Sequence, residues 1–139
     1  MRPGFSIIEH PADVGIEARG GSVREAFEQA AYGLMSLIVD ASSVTHAETR
    51  TIFVEATDQE QLLVRWLNEL LYLYDGEKFV PVKFEIGELS PQHLRALVGG
   101  ERFDQHRHRT RVDVKAMTYH QLAIVPSIDA VTITYVVDV

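Results

Sequence analysis

The spacing of hydrophobic residues in the first forty positions predicts two short strands followed by a helix. Residues 5–9 are mostly apolar, and in residues 14–18 the apolar side chains fall on every second position, which is the period of a strand with one buried face. Apolar residues then recur at helical spacing over residues 23–39. Ser22 and Glu25 form an S-x-x-E capping box in front of that run, which supports a helix start there.

A second amphipathic helix is predicted over about residues 59–74. Thr57 and Glu60 suggest a capping box at its start, and Gly76 suggests its end. Its apolar stripe carries Trp66, the single tryptophan of the chain. A stripe of leucines with one tryptophan is typical of a helix face in a hydrophobic core, so we interpret it as core and not as a cofactor site.

The rest of the chain has the two-residue period of strands. Segments with that period cover residues 49–56, 79–89, 93–100, 110–125 and 130–139, and the turn at 90–91 predicts a hairpin between two of them. Two helices among strands joined mostly by hairpins predict an α+β fold. We expect a single domain over residues 1–139, with a largely antiparallel β-sheet and two amphipathic helices packed on one face.

Composition narrows the class of protein. The chain has 139 residues and no cysteine, so disulfides, thiol catalysis and cysteine-ligated zinc are excluded. No apolar run approaches the roughly 20 residues of a membrane span, and the N-terminus lacks the apolar core of a signal peptide. We therefore expect a cytoplasmic protein with no membrane contact.

Charge argues against direct nucleic-acid binding. The formal net charge is −7, whereas proteins that bind nucleic acids usually carry a surplus of lysine and arginine. One exception is "ERFDQHRHRTR", residues 101–111, with four arginines and two histidines. This segment could be a solvated hairpin tip, or it could contact a phosphate or an acidic partner.

Two aspartates at predicted strand ends are candidates for metal binding. Asp13 follows "HPA" and precedes a strand, so it could be a turn residue or a ligand. Asp138 ends the last hydrophobic run, next to the α-carboxylate of Val139. Neighbouring negative groups repel unless a cation neutralises them, and Ca²⁺ takes carboxylate, main-chain and water oxygens as ligands. A solvated, frayed end is the alternative for Asp138.

The segment "VKAMTYH", residues 114–120, is a third candidate. Strand alternation would set its side chains on two faces: Lys115, Met117 and Tyr119 on one, and Ala116, Thr118 and His120 on the other. Lys115 could bind a phosphate or pair with an acidic site, or it could be an exposed lysine that protects a sheet edge. Tyr119 and His120 could equally be packed in the structure or be reactive.

These three places together resemble the archease family. "EHPADVGI" resembles the archease opening E-H-T-A-D-x-G, "VKAMTYH" resembles its central K-A-x-T-Y-H, and the final "VVDV" resembles its C-terminal aspartate followed by an apolar residue. The motifs occur in the family's order in a chain of the family's length. Neither a phosphate loop, a Rossmann glycine pattern, an H-E-x-x-H motif nor a nucleophile elbow is present in the sequence.

The resemblance implies an accessory protein rather than an enzyme. Archeases activate RtcB-type RNA ligases in tRNA splicing by promoting guanylylation of the ligase and its multiple turnover. The family binds a divalent metal, seen as Ca²⁺, and the matching positions here are Asp13, Asp138 and a main-chain oxygen of Val139. Lys115 is implied to lie on the functional surface as a contact to phosphate or partner, and His10 is a further candidate contact.

Some features depart from the family or leave other functions open. Pro11 stands where the family has threonine, which removes an N–H donor near Asp13. Residues 88–111 contain no motif that aligns with the family. One alternative hypothesis is a small hydrolase that uses Asp13 with His10 or Lys115 as acid and base. A chaperone-like accessory protein of an RNA-modifying enzyme is the other.

Overall fold

Seven strands and two long helices make up the part of the chain that the computed structural model describes, residues 3–9 and 13–139. The strands are β1 Gly4–Glu9, β2 Asp13–Gly20, β3 Glu48–Glu55, β4 Phe79–Leu89, β5 His93–Arg102, β6 Ala116–Pro126 and β7 Val131–Asp138. The helices are α1 Val23–Ile38 and α2 Gln59–Asp75, and Ala41–Ser43 form a short 3₁₀ turn. Within the described residues, no helix has both the length and the apolar character needed to cross a membrane.

The strands form two antiparallel sheets, ordered β1-β2-β7-β6 and β3-β5-β4. Helix α1 packs on β1, β2 and β7 of the four-stranded sheet and also on β4, whereas α2 packs on β6 and on all three strands of the other sheet. One cluster of buried apolar side chains therefore joins both helices and both sheets. The α+β class, with two helices packed on antiparallel strands, is confirmed; the division into two sheets is a feature that the strand pattern did not predict.

Residues 103–115 carry the chain from β5 in one sheet to β6 in the other. This crossing segment passes the C-terminal end of α1. Arg111 N–H donates to Ile38 O at 2.8 Å, and Val112 N–H donates to Leu37 O at 3.1 Å. The last carbonyls of a helix have no partner within it, so the crossing segment satisfies two of them. The segment is thus an anchored part of the fold.

Two buried side chains tie the helices to the rest of the core. Trp66 on α2 is fully buried, and its Nε1–H donates to Phe27 O on α1 at 3.0 Å. Tyr135 on β7 is also fully buried, and its hydroxyl donates to Ala30 O on α1 at 2.6 Å. The interpretation of the Trp66 stripe as core is confirmed. These two bonds fix α1 against both α2 and β7.

The start of α1 confirms its predicted cap and sets β2 closely against the helix. Ser22 Oγ accepts a hydrogen bond from Glu25 N–H at 3.1 Å, and Glu25 Oε1 accepts one from Gly21 N–H at 2.6 Å. A Cβ on Gly20, the last residue of β2, would lie 2.5 Å from Ala26 N. Only glycine fits this close approach, which holds β2 in place below the helix.

The cap of α2 lies one residue later than predicted. Asp58, not Thr57, is the N-cap, and its carboxylate accepts a hydrogen bond from Gln61 N–H at 2.8 Å. Gln61 Oε1 in turn accepts from Thr57 N–H at 2.8 Å, so Gln61 and not Glu60 completes the box. Aspartate is at least as good an N-cap as threonine, and the adjacent pair left the register of the cap open. Gly76 follows the helix as its C-cap, as predicted.

Candidate metal and partner-binding site

The two candidate aspartates lie directly opposite each other in the four-stranded sheet. Strands β2 and β7 are antiparallel neighbours, and Asp13 is the cross-strand partner of Asp138. Cβ atoms of such partners are about 4.5–5.5 Å apart, and their side chains project from the same face. Asp138 is exposed and Asp13 is half-buried. The structure therefore brings together two carboxylates that are 125 positions apart in the sequence.

The apolar residues next to the aspartates set this register. Val14 pairs with Val137 and Ile16 pairs with Tyr135, and all four side chains are buried. A slip of one residue would turn every side chain of the strand to the opposite face and expose this buried set. The hydrophobic alternation that predicts the strands thus also determines which residues meet at their ends.

The backbone of Lys115, the residue directly before β6, contacts Asp138. Ala116, the first residue of β6, is the cross-strand partner of Asp138, and the backbone N–H of Lys115 donates to Asp138 O at 2.8 Å. The side chain of Lys115 is exposed. Asp13, Asp138 and the backbone of Lys115 therefore lie together at one end of the four-stranded sheet. We call this group the carboxylate cluster.

Val139 adjoins the carboxylate cluster, whereas His10 lies outside the described residues. Val139 follows Asp138 directly and packs its partly buried side chain against the core. Its main-chain oxygen is therefore held close to the Asp138 carboxylate by the chain itself. For His10, the prediction of a contact role stays a prediction.

The charges of the carboxylate cluster are not neutralised within the part of the chain that the structure describes. None of its three side chains forms an ion pair with another described residue. Like charges on directly opposite strand positions destabilise a sheet, so the paired aspartates favour a bound cation. Strand β2 and strand β7 thus hold two negative groups in a position that attracts a cation.

The donor set fits a hard divalent cation but does not complete its shell. Among the described residues there is no group of three or more His, Cys, Asp or Glu side chains that could hold a metal ion. The carboxylates of Asp13 and Asp138, with a main-chain oxygen of Val139, are oxygen donors of the kind that Ca²⁺ takes. Ca²⁺ takes six to eight oxygens, so water or a partner molecule would supply the remaining ligands.

Strand β6, which begins directly after Lys115, is interrupted by a bulge that the alternating pattern did not reveal. The pairing of β6 with β7 shifts between Thr118 and Ala123, and Gln121 there has a φ of 56°. Tyr119 is 60% exposed, and His120 is exposed as well. The two-face assignment of residues 115–120 therefore holds only as far as Thr118, and Tyr119 and His120 are surface residues rather than packed ones.

The basic segment at residues 101–111 is not a hairpin tip, because β5 and β6 lie in different sheets. Three of its four arginines, Arg107, Arg109 and Arg111, contact carboxylates of the same chain. Arg107 forms an ion pair with Glu101, and Arg109 Nη2 lies 2.8 Å from Asp40 Oδ2. A contact with phosphate or an acidic partner stays a prediction, but such a ligand would compete with these carboxylates.

Glu101 is the buried centre of this segment. Hydrogen bonds from Arg107, and then from the Thr45 N–H, lower the pKa of the Glu101 carboxyl from 4.5 to about 2. The buried His108 ring places Nε2 3.3 Å from Glu101 Oε2, and its Nδ1 accepts a hydrogen bond from Asp104 N–H at 3.0 Å. The sequence pattern did not indicate this arrangement, because Thr45 lies 56 positions before Glu101 in the chain.

Comparison with known proteins places the whole chain in one family. Residues 5–139 match the model of the archease protein family (MTH1598/TM1083). A protein archease from Sulfurisphaera tokodaii is 38% identical over 136 residues, which cover 97% of this chain and 98% of that protein. A protein archease from Saccharolobus solfataricus is 44% identical over 138 residues, with the same coverage of 97% and 98%.

Solved structures share the fold. The solution structure of a Methanobacterium thermoautotrophicum protein superposes with a TM-score of 0.83 and 29% sequence identity, covering 98% of this chain and 99% of that one. The crystal structure of a Thermotoga maritima protein, described as an archease and possible chaperone, superposes with a TM-score of 0.69 and 22% identity over all of this chain and 98% of that one. The two-sheet architecture is therefore that of solved relatives.

Proposed function

The chain belongs to the archease family, and we propose that it is an accessory protein that activates an RtcB-type RNA ligase in tRNA splicing or RNA repair. The observation that carries the proposal is the register that sets Asp13 opposite Asp138 beside Lys115. In this role the protein promotes guanylylation and multiple turnover of the ligase and catalyses no reaction of its own. We place this role in the cytoplasm.

The carboxylates of Asp13 and Asp138, with a main-chain oxygen of Val139, are the groups that would hold a divalent cation. All three donors are oxygens, which favours Ca²⁺ over metals that prefer nitrogen or sulfur. A divalent cation bound there would neutralise the charge of a phosphate group and orient its oxygens. The strand pairing holds the two carboxylates in place before any ligand arrives.

Lys115 supplies a positive charge at the edge of the carboxylate cluster. Its backbone N–H is bonded to Asp138 O, so the chain is anchored there while the side chain reaches solvent. We propose that its ammonium group contacts a phosphate or an acidic side chain of the ligase. Because its backbone contact survives truncation of the side chain, Lys115→Ala should remove this contact and leave the aspartates in position.

The overall charge supports a protein partner rather than RNA. The net charge is −7, and arginines of the basic segment are bound to carboxylates of the same chain. Proteins that bind nucleic acids depend on basic side chains that are available to phosphates. We therefore assign recognition of RNA to the ligase and recognition of the ligase to this chain.

The test is guanylylation of a purified RtcB-type ligase by GTP with Mn²⁺, at limiting ligase, with and without this protein. Wild type should raise both the rate of GMP attachment and the number of turnovers. Asp13→Ala and Asp138→Ala should not, although both should remain folded by circular dichroism. Glu85→Gln, which removes an exposed carboxylate from β4, is the matched control and should activate like wild type.

Several results would overturn the proposal. If wild type has no effect on the ligase, the activator role is wrong. If the aspartate variants activate normally without binding metal, the role of the carboxylate cluster is wrong. Hydrolysis of a phosphate ester by the purified protein alone would support the hydrolase reading. Binding to an RNA methyltransferase but not to the ligase would support the chaperone-like reading.

A further inference from the structure

Within the described part of the chain, strand β3 has a partner strand on one side and an open edge on the other. The order of the three-stranded sheet is β3-β5-β4, so among residues 3–9 and 13–139 the strand pairs with β5 alone. Ala56 N–H donates to Gln92 O on the β5 side, whereas Glu55 O accepts from Arg65 Nη1 at 2.7 Å on the other side. Successive residues of an antiparallel strand direct their N–H and C=O groups to opposite sides. Glu55, Phe53 and Thr51 therefore direct theirs to the open edge.

The other edge of the same sheet is covered. On β4, Phe84 N–H donates to Tyr32 Oη at 3.2 Å and Ile86 N–H donates to Glu28 Oε2 at 2.8 Å, both from α1. The register of β4 against β5 also shifts at two places, which interrupts the regular strand at that edge. These are the devices by which proteins prevent unwanted strand pairing. Among the described residues, the outward groups of β3 have one such contact, from Arg65 to the Glu55 carbonyl.

A groove of about 490 Å³ runs along the open edge of β3, between that strand and α2. We call it the β3–α2 groove; it is lined by Phe53, Val54, Glu55, Arg65, Asn68, Glu69 and Tyr72. The side chains of Phe53 and Tyr72 are 51% and 56% exposed, which is high for large aromatic residues. Aromatic side chains of this kind are frequent energetic centres of protein interfaces.

The charge of the groove defines what it would bind. Its two carboxylates, Glu55 and Glu69, form no ion pair within the part of the chain that the structure describes. The one cation of the groove, Arg65, is turned to the Glu55 carbonyl. A strand added beside β3 would place alternate side chains toward Glu55 on the outer face and toward Glu69 and Tyr72 on the α2 face. Basic and apolar side chains complement both faces.

We propose that the β3–α2 groove is a docking site for an extended segment of a partner protein that carries basic side chains and adds as a strand to β3. Backbone hydrogen bonds to Thr51 and Phe53 supply affinity, and Glu55 and Glu69 select basic side chains. This site lies on the three-stranded sheet, and the carboxylate cluster lies on the other sheet. The protein therefore has two separate surfaces for partners.

The test uses a capped nine-residue peptide that alternates valine and arginine, followed by ¹⁵N–¹H NMR of the full chain. Binding should shift the amides of Thr51, Phe53 and Glu55 and slow their exchange with solvent. The same peptide with glutamate in place of arginine is the charge control and should bind at least about threefold more weakly, because like charges across a strand pair are unfavourable. Amides of β1, an edge of the other sheet, are the internal control.

Variants of Phe53 test the backbone contribution to binding, and variants of the glutamates test the charge contribution. Phe53→Pro removes an outward N–H that the β3–β5 pairing does not use, so it should abolish binding while the sheet persists. Phe53→Lys tests the same edge if the proline variant does not fold, since an edge lysine blocks strand addition. Glu55→Gln with Glu69→Gln should weaken binding roughly threefold or more and reduce its salt dependence; Glu85→Gln on β4 should not.

The proposal fails if the arginine peptide shifts no β3 amide at millimolar concentration, or if it shifts β1 amides instead. It also fails if the glutamate peptide binds as well as the arginine peptide. A concentration-dependent dimer in the absence of peptide, dissociated by Phe53→Lys, would assign the groove to a second copy of the chain. None of these results depends on the RNA ligase, so failure here leaves the proposed activation untouched.

Discussion

Replacing Asp138 with asparagine should have opposite effects on stability in the absence and in the presence of Ca²⁺. Without metal, Asp13 and Asp138 face each other as cross-strand partners with no described ion-pair partner. Asparagine has the shape of aspartate without its charge, so the variant removes the repulsion and little else. With metal, the same change removes one of the two carboxylate ligands.

The size of both effects follows from the geometry. Two unit charges about 5 Å apart in a water-like medium repel by about 0.8 kcal/mol, and physiological salt reduces this to roughly 0.5 kcal/mol. For a domain of this size that is a rise in Tm of about 2 °C in EDTA. Ca²⁺ at a hundredfold excess over its dissociation constant should stabilise wild type by about 2.7 kcal/mol, or roughly 9 °C.

Thermal unfolding followed by circular dichroism, first in EDTA and then in saturating Ca²⁺, measures both effects on the same sample. The dissociation constant comes from isothermal titration calorimetry of wild type. We expect Asp138→Asn to melt above wild type in EDTA and below it in Ca²⁺. Glu85→Gln is the control: Glu85 is an exposed strand carboxylate that faces Leu97 on β5, so its variant should follow wild type in both buffers.

The decisive result is that the order of the two melting temperatures reverses between EDTA and Ca²⁺. If Asp138→Asn and wild type gain equally from Ca²⁺, the ion binds elsewhere and the carboxylate cluster is not its site. If the variant melts below wild type in EDTA, the two carboxylates do not repel, and the cross-strand argument is wrong. Asp13→Asn should give the same pattern, because the two aspartates hold equivalent positions across one strand pair.

Three further changes test other parts of the structure. Lys115→Ala should lower activation of the ligase at least tenfold while leaving Ca²⁺ binding within twofold of wild type, as measured by guanylylation and calorimetry. Glu101→Gln should make the free energy of unfolding depend less on pH. The pKa of Glu101 is lowered from 4.5 to about 2, chiefly by Arg107, so wild type has stability above pH 4.5 that it loses as pH falls toward 2. Urea unfolding from pH 6 to 2.5 should therefore show a smaller loss of stability in the variant. Tyr135→Phe removes the buried hydrogen bond to Ala30 O and should cost about 1 kcal/mol in urea unfolding, with no change in ligase activation; an unchanged midpoint would contradict the role given to this bond.

Much of the fold was predictable because its elements have strong local signals. The Ser22 cap, the apolar face around Trp66 and the alternation in β7 each depend on residues within a few positions of one another. The α2 cap was wrong by one residue because Thr57 and Asp58 are both suitable caps. The β6 bulge was missed because its three extra residues show only in the pairing with β7, which strand alternation alone does not reveal.

The sequence by itself determined the elements, the fold class and which residues were candidates for chemistry, since hydrophobic period, caps and motifs are local properties of the chain. The tertiary structure alone decided which candidates meet. Asp13 faces Asp138 beside Lys115 because the buried pairs Val14–Val137 and Ile16–Tyr135 lock the register of two strands from opposite ends of the sequence. It also decided that the strands divide into two sheets, that three of the four arginines of the basic segment pair with carboxylates of the same chain, and that β3 has one edge without a partner strand among the described residues. Each of these depends on contacts between distant parts of the chain, and local pattern carries no information about such contacts.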